Sequence, residues 1–309
     1  MAQSVLYCLR GIVMSGKVLW RFIVLLILSS SGAHALTIVG TPPTTPYERF
    51  SSFVPLGTTQ TTNASFWAAS SDLSAVGWQA VSGDWRRGTT LITPLHAVLA
   101  NHFNPGVGAQ FAFRATDGTF YTRTVTATNQ VGITDALIIT FDSALPATVN
   151  PMPIWVGMGT AIGQNAYLYG QGAMLANSNI VNNISVFTIG GSTGYAGRFD
   201  QTSSPGSGLG QAGDSGSPAL LQWAGSFALF GPHWAIGSYL NQFNQTVNFT
   251  LSTYLGAYIN QINTIVGADG YSVTIVPEPG TGVILFVCVV ILFLMRGALI
   301  LRKKQLTPR

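Results

Sequence analysis

The chain has 309 residues, of which 47% are hydrophobic and 8% charged, enough for one large β domain or two small ones with a sizeable core. Its formal charge of +4 belongs to the ends. Between Leu36 and Val276 six arginines and no lysine stand against nine acids, a balance near −3, so no basic patch remains to take nucleic acid as a partner.

Arg10, Lys17 and Arg21 precede an apolar run, Phe22 to Leu28, and small residues follow up to Ala33-His34-Ala35. A basic region, a short apolar stretch and an A-x-A-like site predict a secretory signal peptide over 1–35, cut after Ala35. Cys8 falls in that segment and Cys288 near the other end, so the exported domain is expected to lack a disulfide and to rest on its core. Residues 36–46, with three Thr and two Pro in Thr41 to Thr45, read as a linker.

From about Tyr47 the chain reads as β. Phe111-Ala112-Phe113, Tyr121 to Ala127, Ala136 to Phe141 and Ala166 to Leu168 are short apolar or β-branched runs between Gly, Pro, Asn and Asp clusters. Thr202 to Gly210 is a Ser- and Gly-rich connection. Leu255, Ile259, Ile262 and Val266 recur at helical spacing. Many short strands mean a sandwich or a barrel, and periodicity does not choose between them.

Residues 267–276 read as a second linker. Val276-Pro277-Glu278-Pro279-Gly280 then leads into an apolar segment, 282–301, closed by Arg302-Lys303-Lys304. The prolines disfavour helix just before the run, and the basic cluster would keep the tail cytoplasmic. This tripartite tail, 277–304, resembles the PEP-CTERM sorting signals of exported bacterial proteins. The resemblance implies a transmembrane segment that holds the chain at the membrane before processing, and an exosortase-type enzyme as partner. The expected location is the cell envelope, cell surface or extracellular matrix.

The chemistry-bearing motif is Gly213-Asp214-Ser215-Gly216-Ser217-Pro218. Acyl transfer needs a serine hydroxyl on a sharp turn with backbone N–H groups aimed at the developing oxyanion, and glycines permit that turn. The six residues resemble the nucleophile loop of chymotrypsin-like serine proteases. The resemblance implies Ser215 as nucleophile, an oxyanion hole from the N–H groups of Gly213 and Ser215, and a structural role for Asp214. His34 leaves with the signal peptide, so His96, His102 and His233 remain as bases. Leu91 to Phe103 resembles, without a gap, the family segment that delivers the histidine, and it puts the base at His102. His96, in the shorter echo Thr93-Pro94-Leu95-His96, is the alternative base. Thr134-Asp135-Ala136-Leu137-Ile138 resembles the family's carboxylate segment and nominates Asp135 as the residue that orients His102.

The resemblance implies two antiparallel six-stranded β-barrels, an all-β fold over 47–150 and 151–253, with a C-terminal helix to about 266 and the active site between them. It implies a Ser-His-Asp endopeptidase acting through an acyl-enzyme on peptide or protein substrates, with no cofactor and no metal. The alternative is a protein of the same fold that has lost activity and serves as a surface or matrix binder. Leu209, His233 and Trp234 are the expected specificity residues. Leu209 is apolar where Arg/Lys-cleaving members carry a carboxylate. Gly231-Pro232-His233-Trp234 resembles the Gly-x-His-Trp segment of bacterial glutamyl endopeptidases, whose histidine helps to bind a substrate carboxylate. Gly210, in place of a hydroxyl residue, and Ala235-Ile236, which would narrow the cleft, depart from that pattern. Ile38-Val39-Gly40 resembles the activated N-terminus of many animal members. It lies 64 residues before His102, beside the expected signal cleavage, and is read as coincidence.

Overall fold

A computed structural model describes residues 36–39, 45–53, 60–81, 88–177 and 179–276. The expected signal peptide and the 277–304 sorting tail, with its membrane segment, lie outside the described residues. Among the described residues no helix is long and apolar enough to cross a membrane.

After a two-residue strand, β1 (Thr37–Ile38), six strands follow: β2 (Val76–Gln79), β3 (Gly88–Leu91), β4 (His96–Ala100), β5 (Gln110–Arg114), β6 (Phe120–Gln130) and β7 (Ala136–Phe141). Their antiparallel ladders close in the order β2-β3-β4-β7-β6-β5, and β5 pairs back to β2 through Ala112 and Trp78. Closure leaves no unpaired edge within this ring. All five residues of β4 are buried, because the strand is covered both by the barrel interior and by what packs outside it.

The remaining strands are β8 (Ile154–Trp155), β9 (Asn165–Gly170), β10 (Met174–Leu175), β11 (Asn179–Ile189), β12 (Ser192–Asp200), β13 (Gly208–Leu209), β14 (Pro218–Trp223), β15 (Ser226–Leu240), β16 (Thr246–Thr253) and β17 (Ile275–Val276). Six of them form a second antiparallel ring: β9 pairs β11, then β12, β16, β15 and β14 follow, and β14 returns to β9. β10 extends this ring at β9, while β8 joins β15 and β17 in parallel. A four-residue helix, α1 (Met158–Ala161), precedes β9, and α2 (Ile259–Gly267) follows β16.

The helical spacing read from the sequence begins at Leu255, but Leu255–Tyr258 is a 3-10 turn and the α-helix starts at Ile259. Ile262 and Val266 are fully buried in the apolar cluster that joins the first barrel's interior to Tyr167, Leu220 and Leu229 of the second, and the Gln261 side chain lies against Gly132, so the helix of the second half crosses back to pack on the first. The interior of the second ring is a separate cluster containing Leu168, Phe199, Leu221, Phe230 and Tyr254. Truncating one such buried side chain to alanine removes about 2–5 kcal/mol.

Both stretches read as linkers, and the Ser- and Gly-rich connection, carry pairing. Thr37 and Ile38 oppose Leu209 and Gly208, and Ile275 opposes Ile154. Each strand has only two residues, too short for an alternating pattern to show.

Candidate active site

The two rings meet at the Gly213–Ser217 loop. Gly216 has φ +85°, and a Cβ there would lie 2.6 Å from the Gly88 carbonyl oxygen and 3.0 Å from Leu99 Cβ. A Cβ on Gly88 would in turn collide with Ser217. Glycine at these two places lets the loop of the second ring lie against β3 and β4 of the first.

That contact sets Ser215 beside residues carried by the first ring. The 3-10 turn Asn101–Phe103 follows β4 and carries His102, while Asp135 sits just before β7. Register ties these two ends together, since Ala100 opposes Ala136 and Asn101 N–H donates to Asp135 O at 2.7 Å. Asp135 is fully buried. Its Oδ1 accepts the backbone N–H of His102 at 2.8 Å and its Oδ2 lies 2.7 Å from His102 Nδ1. A carboxylate can only accept, so Nδ1 carries the proton and Nε2 is left as acceptor. Ser215 Oγ lies 2.9 Å from Nε2. The structure thus brings Asp135, His102 and Ser215 into one hydrogen-bonded row, with the imidazole partly open to solvent and the serine half-buried.

Around the serine, Asp214 N–H donates to Gln211 O, Gly216 N–H to His233 O and Ser217 N–H to Asp214 O. Among the described residues no protein acceptor takes the N–H of Gly213 or of Ser215. Gly213 has φ +101°, and any Cβ there would collide with the Gln171 side-chain amide. The Asp214 carboxylate accepts backbone N–H groups from Gln171 and Gln211, each at 2.7 Å. Burial pushes its pKa up to about 7 against the opposing pull of those two bonds.

Gln171 therefore braces the loop twice, with its backbone on Asp214 and its side chain on Gly213. The sequence does not single it out, since it lies 42 residues before Gly213 in an ordinary Gly-Gln-Gly stretch. Leu36 is also placed here. A Cβ on Gly170 would lie 2.9 Å from Asp214 Oδ1 and 3.1 Å from Leu36 N, so those two atoms are no further apart than the sum of these distances. Leu36, two residues before the motif read as coincidence, thus packs beside the nucleophile loop.

The other histidines are held elsewhere. His96 is fully buried, with Nδ1 2.8 Å from Thr93 Oγ1 and Nε2 2.9 Å from Asp269 Oδ2. It ties β4 to the segment after α2 and does not reach Ser215. His233 is 3% exposed, and both its nitrogens are engaged. A carbonyl can only accept, so Nε2–H donates to Tyr169 O at 2.9 Å and Nδ1 accepts from Ser252 Oγ at 2.8 Å. Burial pushes its pKa down to about 4, so the ring is neutral near pH 7. Placed so, both nitrogens of His233 are held within the protein rather than presented to a substrate carboxylate. Trp234 is buried as well, whereas Leu209 is half-buried in β13 opposite Thr37.

Gly210 and Ile236 lie together with Thr250 near the loop. Gly210 N–H donates to Thr250 Oγ1 at 2.8 Å. A Cβ on Gly210 would meet Thr250 Cγ2 and Oγ1 at 3.1 Å and Ile236 Cγ2 at 3.4 Å. Ile236 is 40% exposed, an aliphatic side chain at the surface of β15 against the segment leading to Ser215.

No family model and no curated protein matches the chain. Among solved structures, it is similar to an inactive mutant of the murine norovirus NS6 protease, with 14% identity and a TM-score of 0.36, over 54% of this chain and 85% of that one. It is also similar to the MamO protease domain from Magnetospirillum magneticum, with 11% identity and a TM-score of 0.40, over 64% and 97% respectively. These likenesses are too distant to carry an argument about this chain.

Proposed function

We propose that this chain is an exported serine hydrolase that cleaves peptide bonds through an acyl-enzyme. The observation that carries the reading is the row Asp135–His102–Ser215, with contacts of 2.7 and 2.9 Å. His102 Nε2 takes the proton as Ser215 Oγ attacks the substrate carbonyl, and later returns it to the leaving amine. Asp135 holds the Nδ1–H tautomer and stabilises the imidazolium that forms. The N–H groups of Gly213 and Ser215 are the donors for the tetrahedral oxyanion. Water then attacks the acyl-enzyme with His102 as base again.

Beside the segment that leads to Ser215, Ile236 and Thr250 lie against Gly210. With these side chains read as the specificity wall, the residue before the scissile bond is small and uncharged, such as alanine or serine. The neutral, engaged His233 supports the same preference over glutamate. In this reading the protein leaves the cytoplasm through its N-terminal segment, and an exosortase-type enzyme sorts it at Pro277-Glu278-Pro279.

The test is active-site labelling of the purified protein with a fluorophosphonate. Wild type and His96→Ala should label, and Ser215→Ala and His102→Ala should not. Absence of labelling in a folded wild type, with no peptide or ester turned over, refutes the reading and favours a protein of this fold that only binds.

A further inference from the structure

Away from Ser215 lies a cavity of about 270 Å³, lined among others by Arg49, Arg114, Ser70, Ser71 and Asp72. Arg49 is 6% exposed and uses Nη1 alone among the described residues, to Val76 O at 3.0 Å and towards Tyr169 OH at 3.5 Å. Arg114 ends β5. Its buried Nε has no hydrogen-bond partner, and no carboxylate oxygen comes within 4 Å of either guanidinium among the described residues. The other two described arginines have partners: Arg123 donates to the carbonyls of Ser143 and Ala144, and Arg198 is ion-paired with Asp200, although its buried Nε, like that of Arg114, makes no hydrogen bond. The pair feels its own repulsion: burial first, and then the nearby Arg49 charge, push the Arg114 guanidinium below its ordinary value, while Asp117 pulls the other way.

Asp72 is the carboxylate on the cavity wall, and it is already engaged. Its Oδ1 accepts Ser74 N–H at 2.8 Å and its Oδ2 accepts the Asn150 amide at 2.6 Å. Asp72 on the wall and Asp117 near Arg114 offset part of this charge, but neither forms an ion pair with a guanidinium, and two cations facing one cavity without such contacts are costly unless an anion completes them. Guanidinium groups offer planar forks of N–H donors that match oxyanions, and hydroxyls on the rim add further donors. The geometry points to this cavity as a binding site for a phosphate or sulfate group, held by Arg49 and Arg114 with Ser70 and Ser71 at the mouth. The same group could arrive as the free ion or as the ester of a sugar, and the cavity has room beyond one oxyanion.

Thermal unfolding of the purified full chain is followed as inorganic phosphate, sulfate or glucose 6-phosphate is added at constant ionic strength, with chloride as the balancing salt. Wild type should gain a saturable rise in Tm, and Arg114→Gln should weaken the apparent affinity by about tenfold or more. Arg123→Gln, which lies outside the cavity, should behave as wild type. A sugar ester that binds tighter than the free ion identifies the attached group as ligand, and the reverse identifies the ion. Should Arg114→Gln fail to fold, the side-chain N–H resonance of Arg114 in wild type supplies the answer, moving with phosphate and not with chloride. A rise in Tm no greater than that given by chloride, an unchanged response in a folded Arg114→Gln, or a resonance indifferent to phosphate overturns the proposal.

Discussion

Stability should depend on pH in opposite directions at Asp214 and His233, two buried groups bonded to the same Tyr169–Gln171 segment. The Asp214 carboxyl is raised from 3.8 to about 7, so the folded state holds its proton more tightly than the unfolded chain. Its contribution is complete below pH 4 and is lost as pH rises through about 7, a change of about 4 kcal/mol for three pKa units. His233 is lowered from 6.5 to about 4, so here the unfolded chain binds the proton better. Its contribution is complete above pH 6.5 and is lost as pH falls through about 4, a change of about 3 kcal/mol. Between pH 4 and 6.5 the two trends oppose each other and the wild type should be nearly flat in these terms. Asp214→Asn removes the falling trend and should leave stability rising by about 3 kcal/mol over that window. His233→Gln removes the rising trend and should leave a fall of about 4 kcal/mol between pH 4 and 7. Urea unfolding at half-unit pH steps reads this directly. The other carboxylates and histidines are common to all three proteins and cancel in the differences between slopes. If both variants keep the wild-type profile to within about 1 kcal/mol, burial does not hold these two groups as described.

Ser215→Ala and His102→Ala should each lower turnover of a peptide ester by about 10⁴-fold or more, while His96→Ala should lower Tm and leave turnover within a few-fold. Ile236→Gly should raise kcat/KM for substrates with leucine or phenylalanine before the scissile bond by about tenfold or more relative to alanine, read from a peptide library. Gly213→Ala should slow fluorophosphonate labelling and cost about 1–3 kcal/mol in unfolding, because its left-handed φ and its contact with Gln171 both resist a Cβ. Pairing it with Gln171→Ala relieves the contact and not the backbone strain, so stability should return only in part.

Local chemistry made some residues legible in the sequence. Gly213 and Gly216 both adopt positive φ, and that requirement is what the glycines of the motif announce. Asp135 and His102 are singled out by the resemblance of Thr134 to Ile138 and of Leu91 to Phe103 to family segments, and the β4–β7 register brings the two strand ends that carry them together. What pairs with what across the chain was not legible. His233 looks like a cleft residue from its neighbours Pro232 and Trp234. Its partners Ser252 and Tyr169 lie 19 and 64 residues away, and only the ring of strands puts them around it. His96 is similar, since the carboxylate that holds it is 173 residues further on. The ring closures have the same origin: alternation marks a strand but does not say which strand lies beside it.

The hydrogen bond from Ser215 to His102 spans the seam between two barrels, a seam that the larger apolar cluster also crosses through Tyr167, Tyr169, Leu220 and Leu229. Its length therefore works as a ruler between two bodies, set where Gly88 and Gly216 bring them into contact. The NMR signal of the His102 Nδ1 proton, bonded to Asp135 within one barrel, should change little if the barrels slide apart. A change at Nε2 would register the slip at once. One imidazole thus carries a reference mark and a moving mark, and it would show the halves parting before either had unfolded.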